Sequence, residues 1–221
     1  MLSTTSKITA AAFAVLVTIF GSTVAAATTT VFSENFQTTT TGPLGAPWTI
    51  SKAGASAAVV KDTATHGRVL DLQGSTTNGD FLVAARSFSS SSTEIQSSFA
   101  VNPSAGSSFV TAFNGAGSSL GARRIRLQRD LGSTTLVAQT VPSGTNSCAT
   151  LASGVWSTVT LRVHTAASPH TFDVLINGAA TSCTGLSTGL STPFTGLNVM
   201  DASNDGWGGS VLFDDFLVTT P

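Results

Sequence analysis

Charge is scarce in this 221-residue chain. Only 10% of its residues are Asp, Glu, Lys or Arg, against about 25% in an average soluble domain. Tyrosine is absent, and glutamate (Glu34, Glu94) and cysteine (Cys148, Cys183) each occur twice. Each shortage excludes something. With 10 basic and 11 acidic side chains, no surplus of Lys and Arg exists to replace phosphate counterions, so no nucleic-acid partner is expected. Few Lys, Glu and Gln argue against a long helical bundle. A net charge of -1 with 41% hydrophobic residues argues against charge-driven disorder. What is abundant is Ser and Thr, 65 together, and Gly, 21. Hydroxyls rather than charges carry the polarity, which points to a β-rich, turn-rich fold with one domain.

The first residues stand apart. Lys7 precedes the apolar run Ile8 to Phe20, and Val24-Ala25-Ala26-Ala27 supplies the small residues of a cleavage site. The run is about 13 residues, short of the ~20 that span a bilayer. This predicts a secretory signal peptide over residues 1–27 and a single domain over 28–221; the alternative is an uncleaved N-terminal anchor. No other segment is long and apolar enough to span, so no membrane partner is expected after cleavage. Export would place Cys148 and Cys183 in an oxidising compartment, where one disulfide is the default pairing. The alternative is two free, buried thiols.

From Thr28 onward the pattern is strand after strand, separated by Gly, Ser, Thr and Asn turns. Alternation is sharpest over 155–164. There Val155, Ser157, Val159, Leu161 and Val163 form one side, and Trp156, Thr158, Thr160, Arg162 and His164 the other. Phe172, Val174 and Ile176 continue the apolar side, and Asp173 falls opposite, within reach of Arg162. Asn177-Gly178 marks a tight turn. Ile95, Phe99 and Val101 form another inward row. A dozen candidate strands and no convincing long helix predict an all-β, two-sheet antiparallel β-sandwich, a jelly roll.

The ends carry further signals. The domain opens Val31-Phe32-Ser33-Glu34-Asn35-Phe36, with Trp48-Thr49-Ile50 following, and closes Val211-Leu212-Phe213-Asp214-Asp215-Phe216-Leu217-Val218. Between them lie His66-Gly67-Arg68-Val69-Leu70-Asp71-Leu72 and the 155–178 hairpin. This order resembles the concanavalin A-like lectin/glucanase superfamily, specifically its laminin G-like secreted jelly rolls. The resemblance implies adjacent first and last strands and work on extracellular glycans. It also implies a structural Ca²⁺ at the chain-end seam, held by Glu34 and Asp214. Two carboxylates with backbone carbonyls suit that hard cation. Strict alternation would put Asp214 and Asp215 on opposite faces, so that only one reaches the ion.

Two further constellations bear on function. Trp156, Arg162 and His164 would share an outward face with Arg124, Arg126 and Gln128, offering an indole for sugar C–H faces and guanidinium forks for acidic groups. Trp207, in the loop between Asp201 and Gly209, is either a sugar platform or a plug over the core. Catalysis has little to draw on. Glycosidases need two positioned carboxyl groups, and only Glu34 and Glu94 are glutamates. His164 and Glu94 are the catalytic candidates, His164 as the base of a lyase site flanked by Arg162, Arg124 and Arg126. The function expected is a secreted, non-catalytic jelly roll that binds extracellular polysaccharide. The alternatives are a lyase on an acidic glycan or a glycoside hydrolase of the same fold, and a structural or adhesive surface protein.

Overall fold

The computed structural model of the chain describes residues 28–75, 77, 79–88, 93–114, 123–140, 144–189, 191, 194–201 and 209–221. Residues 1–27, read from the sequence as a signal peptide, and Trp207 lie outside them.

Two antiparallel sheets form a β-sandwich. The first runs β14 (Ala179–Ala180), β13 (Thr171–Ile176), β12 (Ser157–His164), β7 (Glu94–Pro103), β17 (Gly209–Thr220), β5 (Gly67–Gly74), β4 (Ala57–Thr63), β2 (Gly42–Pro43). Two more strands join it off this path, β1 (Thr29–Glu34) on β17 and β15 (Leu186–Ser187) on β13. The second runs β11 (Thr145–Thr150), β10 (Thr135–Thr140), β9 (Arg123–Arg129), β8 (Phe109–Asn114), β16 (Gly196–Asp201), β6 (Phe81–Ser87), β3 (Thr49–Ala53). The described residues contain no helix.

Alternation places the core as expected. Val159, Leu161, Val163, Phe172, Val174, Ile95, Phe99 and Val101 all point between the sheets and are buried. Val155 departs from the pattern: β12 starts at Ser157, and Val155 is 52% exposed before it. Asn177 and Gly178 both take positive φ, the backbone a tight hairpin turn requires. Arg162 and Asp173 are register partners across β12 and β13. At the centre, Phe36, Trp48, Phe99, Phe213 and Phe216 form a contiguous aromatic cluster.

The chain ends meet. β1 pairs with β17 in antiparallel fashion, Glu34 opposite Phe216. β17 is also the strand on which the first sheet changes neighbours. Its first half, Gly209 to Phe213, pairs with β5, and its second half, Phe216 to Thr220, with β1. On the other edge it stays with β7 throughout, but the register slips. Asp214 faces Ala100 and Leu217 faces Ser98, so β17 carries one extra residue there, a β-bulge. Asp215 sits in that bulge with φ 49°.

The disulfide is formed: Cys148 and Cys183 are bonded, with Cα atoms 5.0 Å apart. It ties edge strand β11 of the second sheet to the segment after β14 in the first.

Candidate functional site

The bulge changes what the Asp-Asp pair can do. Alternation alone would send Asp214 and Asp215 to opposite faces. The extra residue keeps both on the outer side of the first sheet, while Phe213 and Phe216 on either side point into the core. One oxygen of each carboxylate and one ring nitrogen of His66 lie within 4.8 Å of one another, so the trio could hold a divalent cation. His66 Nδ1 is 3.5 Å from Asp214 Oδ2.

His66 arrives from the β4–β5 hairpin, and Gln37 anchors that hairpin. The Gln37 carboxamide donates to the carbonyls of His66 and Arg68, 3.0 Å each, and accepts from the Arg68 N–H at 3.2 Å. Gly67, with φ 65°, permits this approach, because a Cβ there would lie 2.4 Å from Gln37 Oε1. Trp156 stacks on the other side: its ring lies 3.9 Å from the His66 imidazole at 24°. His66 was not anticipated as a site residue, because only the register of the hairpin against β17 brings it to Asp214.

Asp214 is 2% exposed. Burial pushes its carboxyl up to about 6, and the negative charge of Asp215 adds to the rise. The Asp215 N–H, which donates to Asp214 Oδ1 at 2.8 Å, and His66 act against it. A group that binds its proton more tightly when folded than when unfolded stabilises the fold at low pH and loses that contribution as pH rises. The window runs from the ordinary 3.8 to about 6. Metal-free wild-type protein is therefore expected to lose about 2–3 kcal/mol across it. Asp214→Asn should lack this loss, and denaturant titrations in chelator at pH 4.5 and 7.5 measure it. Equal pH dependence in both proteins would contradict the assignment.

Beside the trio a groove of 580 Å³ opens at the place where β17 exchanges β5 for β1. Ser33, Glu34, Asn35 and Thr38 line one side, Ser98, Ala100 and Thr158 the other, and Asp215, Phe216 and Leu217 of β17 lie between them in the sheet. Ala100 links Thr158 on β12 to Asp214 on β17 in one transverse row. Glu34 Oε1 accepts the Phe36 N–H at 2.9 Å. Phe36 has φ 57°, a backbone region bulky residues rarely enter, and its ring is fully buried on Trp48 and Phe216. Thus Glu34 and Asp215 line the same groove, while the cation trio uses His66 in place of Glu34.

The expected Trp/Arg/His face does not form as one surface. Arg162 and His164 belong to the first sheet, with Trp156 directly before β12, and Arg124 and Arg126 belong to the second, with the core between the sheets. The cause is strand order, which periodicity does not specify. Arg162 Nε lies 3.6 Å from Glu94 Oε1 and also meets Gln96. His164 is held on both sides, Nδ1 3.3 Å from Glu94 Oε2 and Nε2 3.0 Å from Asp173 Oδ2. Burial pushes the Asp173 carboxyl up, but hydrogen bonds from His164 and the Gly185 N–H, with the His164 and Arg162 charges, bring it below its ordinary value. The structure thus does bring His164 and Glu94 together, with Asp173 on the other ring nitrogen of His164.

On the second sheet, Arg126 donates to Gln128 at 2.7 Å, and Gln128 to Asp130. Burial lowers the Arg126 pKa, against the pull of Asp130. A transverse row runs from Arg126 through Ala112 to Asn198 and Ala85. Asn198 is 1% exposed, and among the described residues neither its Oδ1 nor its Nδ2 has a hydrogen-bond partner. Arg124 and Asp201 lie on β9 and β16 by backbone.

No family model matches the sequence, and no curated protein matches it either. Solved structures do match. A sialidase superposes over 86% of this chain with a TM-score of 0.67 at 12% identity, and this chain spans 18% of that protein. The cellulose induced protein Cip1 covers 86% of this chain and 97% of its own length, with a TM-score of 0.63 at 15% identity. A conserved carbohydrate esterase of Shiga toxin-encoding bacteriophage phi24B covers 88% and 99%, with a TM-score of 0.57 at 14% identity. The chain has the jelly-roll fold. At these identities the likeness concerns the fold; the chemistry rests on the residues.

Proposed function

We propose that this protein is a secreted, non-catalytic module that binds extracellular polysaccharide in the groove between β1, β7, β12 and β17. The observation that carries this is the lining. Hydroxyls of Ser33, Thr38, Ser98 and Thr158, the Asn35 amide and the Glu34 and Asp215 carboxylates surround an open groove with an apolar floor at Ala100 and Leu217. A few polar groups on a mainly preformed concavity are what a sugar needs for orientation. Carboxylates without a cationic side chain in the lining favour a neutral glycan over an acidic one. The fold is shared with a carbohydrate esterase and a carbohydrate recognition domain, and the closed disulfide suits an oxidising compartment outside the cell. The non-catalytic reading is supported by His164, both of whose ring nitrogens face carboxylates. Calcium is a poor match for the cation trio: it takes six to eight oxygen ligands, and one of the three donors is an imidazole nitrogen.

A second reading places the glycan on the outer face of the second sheet. Its support is the unpartnered Asn198 carboxamide in one row with Arg126. Affinity electrophoresis in gels containing neutral glucans or acidic uronans separates the two. Retardation by a neutral glucan is expected, weakened about tenfold by Asp215→Ala, the scale of one lost hydrogen bond to a charged group, and unchanged by Arg126→Ala. The reverse pattern would move the site to the second sheet. Reducing ends or an ultraviolet-absorbing unsaturated product released during incubation would make the protein an enzyme.

A further inference from the structure

We infer that His66, Asp214 and Asp215 form a binding site for a nitrogen-accepting divalent cation of the zinc class, with calcium excluded by the donor set. The spacing is the first ground. Two ligands of a tetrahedral zinc ion, each about 2.1 Å from the metal, stand about 3.4 Å apart. His66 Nδ1 and Asp214 Oδ2 are separated by 3.5 Å, longer than the usual N–H···O hydrogen bond but close to that bite. All three donor atoms fall within 4.8 Å.

The second ground is the state of Asp214. Its carboxylate is 2% exposed, and among the described residues its only ion-pair partner is the His66 imidazole. A buried carboxylate is costly unless a positive charge balances it. Neither Lys nor Arg does so here, unlike Asp71 on the same sheet, which is also buried but receives Lys61 Nζ at 2.8 Å. A divalent cation would supply the missing charge. The third ground is the way the ligands are supported. Trp156 stacks on the imidazole, Gln37 holds the hairpin at His66 and Arg68, and the Asp215 N–H fixes the Asp214 carboxylate. Such outer contacts orient the groups a metal needs. An imidazole nitrogen with two carboxylates is a donor set for zinc and its neighbours, whereas calcium selects oxygen. Three protein ligands leave a tetrahedral ion one position for water.

The test is isothermal titration of the full secreted chain, freed of metal by chelator, with ZnCl₂ and separately with CaCl₂; CoCl₂ gives a visible absorption spectrum that reports nitrogen ligation. One zinc ion per chain is expected, bound at least about 100-fold more tightly than calcium. His66→Gln should weaken zinc by about 10–100-fold or more and change the cobalt spectrum. Asp215→Asn, at an exposed position, should also weaken it, and it serves if the His66 variant does not fold. His164→Gln, the control at the other imidazole flanked by carboxylates, should leave zinc binding unchanged. No zinc uptake, calcium bound as tightly as zinc, or zinc binding that survives His66→Gln and disappears in His164→Gln would each overturn the site. These readouts do not involve a glycan, so failure here leaves the polysaccharide assignment standing, and the converse holds.

Discussion

Phe216→Ala is expected to destabilise the protein by about 4 kcal/mol, the range for removing a buried phenylalanine and leaving a cavity. The ring is 1% exposed and touches four aromatic neighbours: Trp48 at 5.5 Å, Phe99 at 5.8 Å, Phe213 at 5.9 Å and Phe36 at 6.1 Å between centroids. Few core positions can collapse less easily, because those partners come from β7 and β17, from the segment after β1 and from the residue just before β3. The position also matters for function. The Phe216 side chain closes the core directly after the bulge, and its backbone pairs with Glu34. Loss of the ring should therefore loosen the Asp214–Asp215 bulge and the groove together. In a domain of this size the melting temperature should fall by roughly 8–16 °C, and glycan affinity should fall while the protein is still folded. A change below about 1 kcal/mol, well under the range for a buried phenylalanine, would contradict the packing described.

Replacing both Cys148 and Cys183 by serine should cost nearly as much, about 3–4 kcal/mol. The bridge closes a loop with a sequence separation of 35, and loop-closure entropy sets that scale. It also joins edges that strand pairing leaves apart, β11 in the second sheet and the segment after β14 in the first. Backbone and hydroxyl contacts from Ser182 to the carbonyls of Ser147 and Cys148 reinforce the seam but do not replace a covalent link. Denaturant midpoints of wild type with and without a reducing agent, beside those of the double variant, measure the effect. The bridge lies away from the groove-lining residues, so glycan affinity at low temperature should be retained. A midpoint indifferent to reduction would show that the bridge adds nothing.

The strands that bury one face were legible because a period of two is a strong signal there, as in β7, β12 and β13. β4 and β11 were not. Ala57 to Thr63 opens on two alanines and ends in Lys61-Asp62-Thr63, and Thr145 to Thr150 is a polar edge strand, so neither shows a clean apolar side. The meeting of the chain ends followed from resemblance, and the β1–β17 pairing bears it out. The site was harder to read. Asp214 and Asp215 look like ordinary alternation in the sequence; only the pairing of Asp214 with Ala100 and of Leu217 with Ser98 reveals the extra residue. His66 belongs to a hairpin whose register against β17 has no local signature. His164 and Arg126 fall on opposite sheets because strand order is a property of the whole fold.

The central claim is that a neutral polysaccharide occupies the groove where β17 changes partners. Ser98→Trp tests it most directly, because Ser98 is half-buried in the groove wall on β7 and an indole there would fill the space without touching the core side of the strand. Isothermal titration of a neutral oligoglucan into wild type and Ser98→Trp, with melting curves showing both folded, is the measurement. Wild type should bind the oligoglucan and the variant should not. Equal affinity in the two proteins would contradict it.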